Sequence, residues 1–386
     1  MVLSHSRIQN RTDSRKNANI PGAPIPVLHV VKSLGLGGTE KTAQLFATHL
    51  DRSRYAPAVH SPTDGERGPE LRAAGIPTHI GKNIEDTLSR VNPTIIHVHR
   101  AGWPEPALMR PLVLYARTRR HVRIVETNVF GRYDPSPWGR AVHCTLFVSA
   151  FCAERYEKLY NIPARPPRFR VLYNPVEADF LANRCVAPEK RDFSRPVIGR
   201  LSRPDPGKWS SLALDFLPEL RAAAPEFSYL VVGGIDAAYE FVRRNGLETN
   251  VRFLEPLATE EELAGFLDRL SVFAHANDTG ESFGMCIAEA MCAGLPVVTH
   301  PCAFPKDNAQ LELVEHGRTG LVAATAREYA QAVLWLLNHP PEARRMGRAA
   351  REKALSSYAA PLIAGQLADV YDGLLQDSMQ RNGACG

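Results

Sequence analysis

The 386-residue sequence lacks several features that would place it in a class at once. It has no uninterrupted apolar stretch of about 18 residues, which excludes a membrane-spanning helix. None of its seven cysteines forms a C-x-x-C pair, and their spacings do not match structural zinc sites. It also lacks an N-terminal apolar segment of the secretory type, so the odd number of cysteines predicts reduced thiols in a cytoplasmic protein. What it does have is 44% hydrophobic and 23% charged residues, which excludes wholesale disorder.

Charge is distributed unevenly between the two halves of the chain. Residues 1–190 contain 27 Lys and Arg against 16 Asp and Glu, whereas residues 191–386 contain 19 against 25, and the net charge is +5. Two interpretations stay open: the basic half faces an anionic surface, or surface charge has drifted between domains by chance. Nucleic acid is not an expected partner, because the cations are not interleaved with aromatic residues and no recognition motif is present.

Short apolar segments alternate with helix-compatible segments along most of the chain. In the first half, strands are predicted at residues 27–31, 94–98, 122–127 and 145–149. In the second half, strands are predicted at residues 196–199, 229–233, 251–254, 272–275, 296–299 and 319–322. Strands that alternate with helices form βαβ units, so the sequence predicts an α/β protein with two consecutive doubly wound parallel sheets.

Composition also predicts the domain boundaries. Residues 1–24 are polar and basic, and predict a disordered tail. The first domain is expected over residues 25–190 and ends in a Pro-containing linker. The second domain is expected over residues 191–360, and residues 361–386 are expected to form a helix that packs back towards the first domain, followed by a tail.

A glycine-rich loop follows the first predicted strand. Gly35, Gly37 and Gly38 permit a close approach of the backbone, and the helix after them offers unpaired N–H groups to an anion. A dinucleotide-binding fingerprint needs glycine or alanine at its last position, where this sequence has Glu40. The loop therefore favours a phosphate group over a dinucleotide cofactor, and by itself it is a weak signal.

Two glutamates flank the start of a predicted helix in the second half. The strand at residues 272–275 leads into a loop that carries Glu281, and a helix over residues 283–293 carries Glu289. Glu289 then lies about six residues into the helix, or about 9 Å along its axis. Helix N–H groups between two carboxylates suit a ligand with phosphates in the middle and hydroxyls at both ends, such as a nucleoside diphosphate sugar. Taken singly, each glutamate also fits an ordinary role at a helix N-terminus or in solvent.

The segment from Glu281 to Glu289 resembles the glutamate–seven residues–glutamate signature of retaining glycosyltransferases of family 4, also called glycosyl transferases group 1. Other segments resemble this family in the same chain order, at residues 34–40, 95–99, 171–176 and 198–208. The resemblance covers nearly all of residues 25–375. It implies the GT-B fold, in which two Rossmann-like domains face each other.

The resemblance implies a role for each charged residue of these segments. Glu281 would contact the hydroxyls of the donor sugar, and Glu289 the ribose. Arg200 and Lys208 would neutralise the diphosphate, a task that suits one delocalised fork and one point charge. These two cations are farther apart than in the commoner family pattern, so Arg203 is an alternative to either.

The resemblance also assigns a histidine and several backbone groups. His99, at the end of the strand predicted over residues 94–98, would line the donor sugar pocket, and His97 is an alternative because it points the same way on a strand. The implied catalytic residues are Glu281, His99, Arg200 and Lys208. The remaining donor-binding groups implied by the family are the backbone of Phe283, Gly284 and Met285, and the loop at Gly37 and Gly38.

No D-x-D triplet occurs in the sequence. Metal-dependent glycosyltransferases use such a carboxylate pair to hold an ion at the diphosphate, so cationic side chains are expected to stabilise the leaving group here, and neither a metal nor a cofactor is expected. The family implies a retaining hexosyltransferase that moves a sugar from a nucleoside diphosphate to a hydroxyl acceptor in polysaccharide, lipopolysaccharide or glycolipid assembly. Two other hypotheses stay open: a sugar-nucleotide isomerase or epimerase on the same fold, and a non-catalytic sugar-nucleotide-binding protein.

A basic segment follows an apolar helical stretch in the first half. It contains Arg117, Arg119, Arg120 and Arg123. A membrane-surface patch, in a protein that acts on lipid-linked acceptors, and a solvated helix C-terminus both explain these cations. The first interpretation gives the protein an anionic membrane surface as a partner, at the inner face of the cytoplasmic membrane. The second leaves it free in the cytoplasm.

Overall fold

The fold is built on two parallel β-sheets. The computed structural model describes residues 22–383, with side chains to residue 376, so most of the tail predicted over residues 1–24 lies outside it. The first sheet contains β1 (Ile25–Val30), β2 (Tyr55–Ser61), β3 (Thr78–Ile80), β4 (Ile95–Arg100), β5 (Arg123–Asn128), β6 (Cys144–Phe147) and β7 (Phe169–Val171). The second contains β8 (Val197–Leu201), β9 (Ser228–Val232), β10 (Val251–Leu254), β11 (Val272–Ala274), β12 (Val297–Thr299) and β13 (Gly320–Val322). The predicted α/β fold class is confirmed.

Each sheet has a point at which the strand order reverses. The order is β3-β2-β1-β4-β5-β6-β7 in the first sheet and β10-β9-β8-β11-β12-β13 in the second. Neighbouring strands pair in parallel, as β1 does with both β2 and β4. The reversal lies between β1 and β4 in one sheet and between β8 and β11 in the other. Ligands of doubly wound sheets bind beyond the carboxyl ends of the strands at such a point.

Helices connect successive strands, as parallel pairing requires. In the first half they are α1 (Gly38–His49), α2 (Arg67–Ala73), α3 (Ile84–Val91), α4 (Pro106–Arg117), α5 (Pro137–Arg140) and α6 (Ala150–Tyr160). After β7 they are α7 (Ala178–Arg184), α8 (Leu212–Asp215), α9 (Leu217–Ala223), α10 (Asp236–Arg244), α11 (Glu260–Asp268), α12 (Met285–Cys292), α13 (Gln310–Leu313), α14 (Ala326–Asn338), α15 (Pro340–Tyr358) and α16 (Ala360–Gly383), with a 3-10 helix at Pro206–Lys208. Between residues 22 and 383, no helix has the length and hydrophobicity needed to cross a bilayer.

The strands predicted from apolar segments are all present, and three further strands are not foreseen by that pattern. β3 and β7 are three-residue strands at the edges of the first sheet. β2 contains Pro57, which has no N–H group to donate to a neighbouring strand. It is tolerated because β3 pairs only with β2 residues from Val59 onwards, so Pro57 has a partner strand on one side only.

The chain crosses between the two sheets twice, and the crossings are joined to each other. The first crossing runs from β7 to β8 and contains the boundary predicted near residue 190. The second runs from α15 into α16. Val176 in the first crossing pairs with Ala359 in the second: its N–H donates to the Tyr358 carbonyl at 2.9 Å, and the Ala360 N–H donates to the Val176 carbonyl at 2.9 Å. The two halves are therefore connected by a hydrogen-bonded pair of segments.

The helix α16 completes the core of the first sheet. Ile363, Leu367 and Tyr371 are buried in the same cluster as Val27 of β1 and Leu146 of β6. Much of the stability of an α/β domain comes from such burial of apolar surface. The first sheet is therefore covered by a segment that follows the second sheet in sequence.

Gly280 shapes the loop that carries Glu281, and we expect Gly280→Ala to destabilise the protein. Its φ is +69°, and a Cβ there would lie 1.6 Å from the carbonyl oxygen of Asp307. The added strain and clash should lower the free energy of unfolding by about 2 kcal/mol or more. Gly265, exposed in α11 with open space around it, is the control, and Gly265→Ala should raise that free energy by about 0.5–1 kcal/mol. Urea unfolding measures both, and unchanged stability of Gly280→Ala would contradict the expectation.

Candidate functional site

The site lies in the cleft where the reversal points of the two sheets face each other. The glycine loop after β1 and the end of β4 reach it from the first sheet, and the loops after β8 and β11 reach it from the second. A Cβ on Gly38 would lie 3.4 Å from Cγ of Met285, the first residue of α12. The glycine loop and the glutamate segment, both singled out in the sequence, are therefore neighbours in the structure. Glu40 folds back towards Gly37 and accepts a hydrogen bond from the Ser33 hydroxyl at 2.8 Å.

Three polar side chains hold the carboxylate of Glu281. Its Oε1 accepts hydrogen bonds from the amide of Asn277 at 2.6 Å and from Nε2 of His275 at 3.1 Å. Lys208 Nζ lies 3.3 Å from Oε2. Because a carboxylate can only accept, Nε2 of His275 carries a proton, and Nδ1 of that ring then accepts from the Thr299 hydroxyl at 3.4 Å. The direction of the Glu281 carboxylate is therefore fixed by the protein itself.

The same contacts keep Glu281 ionised. Burial alone raises the pKa of a carboxyl group, but the charge of Lys208 and the hydrogen bond from His275 outweigh burial and lower the pKa of Glu281 to about 2. Burial lowers the pKa of His275, so this imidazole is neutral at neutral pH. The loop after β11 thus presents a fixed anion, which is suited to accept hydrogen bonds from hydroxyl groups.

The two predicted cations occupy different positions. Lys208 is partly exposed in the cleft. Arg200 is buried at the end of β8, where it donates to the carbonyls of Ala276 at 2.7 Å and Lys208 at 2.6 Å and lies over the Trp209 ring at 4.3 Å. Arg200 therefore fixes the loops after β8 and β11, and a direct contact with a diphosphate stays a prediction. Its alternative, Arg203, is exposed and forms no ion pair within the described residues.

Helix α12 begins two residues later than the sequence predicts. Gly284 takes a φ of +105° and caps the helix, so the first helical residue is Met285 rather than Phe283. The side chain of Phe283 is buried against Tyr173 and Tyr358. The structure as described contains no acceptor for the N–H groups of Gly284 and Met285. These groups are free to bind an anion at the positive end of the helix.

Glu289 is buried against an ammonium group from the other half of the chain. Its Oε1 lies 2.6 Å from Nζ of Lys41 in α1. The same Nζ lies 2.6 Å from Oε1 of Glu260, the first residue of α11. Lys41 is 6% exposed and Glu289 is 5% exposed. The three side chains form an ion cluster that joins the two domains across the cleft.

Three histidines are buried together in the first sheet. His97 uses both of its nitrogens, with the Tyr371 hydroxyl at 2.7 Å and the Thr127 hydroxyl at 2.8 Å. Nε2 of His99 lies 3.1 Å from Nδ1 of His29, and Nδ1 of His99 is buried without a partner among the described residues. Burial lowers the pKa of all three rings, so they are neutral. Of the two alternatives His99 and His97, only His99 keeps a free nitrogen, and its contact with a donor sugar stays a prediction.

These histidines are also the one group of potential metal ligands found in the described part of the chain. The rings of His97 and His99 are stacked, with centroids 4.3 Å apart and an angle of 23° between their planes. Their nitrogen lone pairs therefore lie in nearly parallel planes and do not converge on one point. Both nitrogens of His97 are already engaged. The geometry does not fit a tetrahedral metal site.

The sequence motifs do not reveal the residues that hold the predicted ones in place. Those residues are Lys41, Glu260, His275, Asn277 and Gln310. The one signal in the sequence is the opposite charge of the two halves. Lys41 of the basic half pairs with two acids of the acidic half, and Arg155 pairs with Asp307 in the same sense. Ion pairs between the two halves therefore neutralise part of this charge difference inside the protein.

Two facing doubly wound domains with a site between them are the arrangement of the GT-B fold. The structure of a glycosyltransferase from Rickettsia africae matches this chain with a TM-score of 0.74 at 17% identity, over 91% of this chain and 99% of that one. Anabaena Alr3699/HepE in complex with UDP and glucose matches with a TM-score of 0.72 at 19% identity, over 90% of this chain and 99% of that one. At such identities the likeness establishes the fold, and the predicted GT-B fold is confirmed.

The family resemblance predicted from the sequence is confirmed over residues 195–339. Residues 195–339 match the family described as Glycosyl transferases group 1. A phosphatidyl-myo-inositol mannosyltransferase of Mycobacterium leprae is 29% identical over 206 residues, 52% of this chain and 52% of that protein. A trehalose synthase of Pyrococcus horikoshii is 26% identical over 181 residues, 43% of this chain and 41% of that protein. The chain therefore spans about half the length of the curated relatives that it matches.

Glu281 should contribute stability that depends on pH. Its pKa in the folded protein is about 2, below the value of about 4.3 of an unfolded glutamate, so the contribution is present above that value and is lost as pH falls towards 2. We expect Glu281→Gln to lower the free energy of unfolding by at most about 3 kcal/mol at pH 7, and by progressively less below about pH 4. Urea unfolding at several pH values measures this. Glu154→Gln, at an exposed pair with Lys158, is the control and should have little effect at any pH. A pH-independent effect of Glu281→Gln would contradict the assignment.

Proposed function

We propose that the protein transfers a sugar from a nucleoside diphosphate sugar to a hydroxyl acceptor. One observation carries the proposal: along the chain, the fixed carboxylate of Glu281 precedes and the buried carboxylate of Glu289 follows the free N–H groups at the start of α12, which lies against the glycine loop. A nucleoside diphosphate sugar has hydroxyls, phosphates and hydroxyls in that order. The family match over residues 195–339 supports the same ligand.

In the proposed reaction, the acceptor oxygen forms a bond to the anomeric carbon while the bond from that carbon to the diphosphate oxygen breaks. Lys208 and the N–H groups of α12 stabilise the charge that develops on the departing diphosphate. Glu281 holds the sugar hydroxyls, and its three donors leave it badly placed to act as a nucleophile. We therefore favour a front-face reaction that retains the anomeric configuration, in which the departing phosphate takes the proton of the acceptor. Because side chains and backbone supply the positive charge, we propose that no metal or cofactor takes part.

The names of the relatives guide the choice of donor and acceptor. A relative from Mycolicibacterium smegmatis, 29% identical over 189 residues, is described as a GDP-mannose-dependent mannosyltransferase that acts on a phosphatidylinositol mannoside. The Anabaena structure contains UDP and glucose. We propose a GDP- or UDP-linked hexose as the donor, and a glycolipid or growing polysaccharide as the acceptor.

Two other functions use the same site without an acceptor. An isomerase or epimerase would convert the sugar nucleotide itself, and a binding protein would leave it unchanged. Incubation with the donor alone separates these possibilities. A transferase should release the nucleoside diphosphate slowly and faster when acceptor is added, an epimerase should produce an epimer, and a binding protein should produce neither.

Replacing Glu289 by alanine should weaken binding, whereas replacing Glu281 by alanine should reduce turnover. Glu289→Ala should weaken binding of the bare nucleoside diphosphate about 10- to 150-fold, because a carboxylate–hydroxyl bond to the ribose is lost. Glu281→Ala should leave that binding nearly unchanged and reduce turnover of the intact donor, as expected for a contact that is stronger in the transition state. Calorimetry with UDP and GDP, and acceptor-dependent release of the diphosphate in the presence of EDTA, measure both effects.

Three results would contradict these assignments. Equal weakening of diphosphate binding by both substitutions would mean that Glu281 does not face the sugar. Loss of turnover in EDTA, with recovery on adding magnesium or manganese, would disprove metal independence. Formation of an epimer from the donor alone would replace the transferase by the isomerase.

We further propose that the arginine-rich end of the first sheet binds an anionic membrane surface. A groove of about 800 Å³ lies there, and apolar residues such as Val113, Val122 and Val142 form part of its lining. Its basic residues are Arg117, Arg120, Arg123, Arg140, His143 and Arg168, and among residues 22–376 no acidic side chain lines it. It lies at the starts of β5, β6 and β7, whereas the cleft lies at the opposite, carboxyl ends of the strands. Such a surface would attach the protein to a membrane without placing a lipid at the reacting carbon.

Binding to vesicles tests this surface. The protein should bind vesicles of phosphatidylglycerol and phosphatidylcholine, and binding should fall sharply as salt rises above physiological strength. The double variant Arg117→Gln/Arg120→Gln should weaken binding by up to about 30-fold, since each cation near the surface contributes about 1 kcal/mol. Turnover in solution should be unchanged, and Arg184→Gln, outside the groove, serves as the matched control. Equal binding to pure phosphatidylcholine, or none to either, would favour the solvated helix end.

A further inference from the structure

Lys41 joins the two domains at the point where the ribose is proposed to bind. It lies in the first turns of α1, directly after the glycine loop. Its Nζ is 2.6 Å from Oε1 of both Glu289 and Glu260, which belong to helices of the second domain. Burial lowers the pKa of Lys41, but the two carboxylates outweigh burial and raise the pKa above its ordinary value. The amine is therefore a cation at neutral pH.

Several polar atoms of this cluster have no hydrogen-bond partner among the described residues. Oε1 of Glu289 is occupied by Lys41, whereas no hydrogen bond to Oε2 is found in the described part of the chain. Oε2 of Glu260 and Nε of Arg67 are buried there without a partner. The guanidinium of Arg67 is near enough to both carboxylates to interact with their charge. Oε2 of Glu289 is not among the fully buried atoms, and a carboxylate oxygen without a partner can accept a hydrogen bond from a hydroxyl of a vicinal diol.

The ammonium group determines how the two acids can be arranged. Two carboxylates in one partly buried site repel each other, and only a cation between them makes their close approach favourable. By holding one oxygen of Glu289, Lys41 leaves the other oxygen pointing in a fixed direction. A group that is already held in place loses less conformational freedom when it binds a ligand. Because Lys41 belongs to the first domain, this arrangement exists only while the two domains are in contact.

We propose that Lys41 is a positioning residue for the nucleoside: it orients the Glu289 carboxylate towards the ribose diol and makes nucleotide binding depend on contact between the two domains. The inference rests on the proposed function, because it takes Glu289 as the ribose ligand. It adds a residue of the first domain to the recognition of the nucleoside, at the end of the donor opposite the transferred sugar.

A comparison of ligands with and without the diol tests this role. The probes are UDP and GDP and their 2′,3′-dideoxy forms, with dissociation constants measured by calorimetry. Lys41→Met should weaken binding of the preferred diphosphate about tenfold or more, and should change binding of its dideoxy form less than about threefold. Lys41→Arg keeps the charge and should restore part of the lost affinity for the diphosphate that contains the diol. A purely structural role would weaken both forms equally.

His49→Gln is the matched control. His49 also lies in α1, and its Nε2 is 2.9 Å from Oε1 of Glu177, the N-cap residue of α7, so it links α1 to the first crossing between the sheets. This variant should bind both forms like the wild type, and thermal unfolding checks that each variant folds. If Lys41→Met does not fold, Lys41→Arg decides, since it should weaken the diol form selectively. Equal loss for both forms, or no loss, overturns the positioning role and leaves the proposed function standing. Failure of the wild type to bind any diphosphate overturns the proposed function, and the inference with it.

Discussion

Ion pairing across and around the cleft is the constraint on which the candidate site depends. A carboxylate removed from water destabilises the folded protein unless a cation or several donors face it. Lys41 faces Glu260 and Glu289, and Lys208 faces Glu281. Each acid that is proposed to hold the donor is therefore placed by a cation from another element. The geometry of the cleft follows from this pairing as much as from the packing of the two sheets.

Much of the fold could be predicted, because strands of doubly wound sheets are apolar on both faces and stand out in the sequence. β9, with its run of buried residues, is an example. β2 could not be predicted in this way, since Pro57 argues against a strand until the short extent of β3 is known. The start of α12 also escaped prediction. It depends on the left-handed conformation of Gly284, which the sequence permits but does not require.

The residues of the site also differ in whether local sequence or distant contacts place them. Glu281 and Glu289 lie in one short segment, so the sequence alone could place Glu281 in a loop and Glu289 on the helix that follows it. The partner of Glu289 could not, because Lys41 approaches it only after both domains have formed and met. The position of Arg200 depends on where the carbonyls of Ala276 and Lys208 point, and a sequence motif carries no such information. Motifs identify groups that can bind a ligand, and tertiary structure decides which of them are already engaged.

The position of α16 determines when the first domain can complete its core during protein synthesis. This helix supplies Tyr371 to the core of the first sheet, yet the ribosome synthesises it after the whole of the second domain. Until then, the apolar surface around Val27 and Leu146 lacks part of its cover. The first domain therefore cannot finish folding as it leaves the ribosome. A nascent chain of this kind has to keep an apolar surface from aggregating throughout the translation of the second domain, which is a task for chaperones.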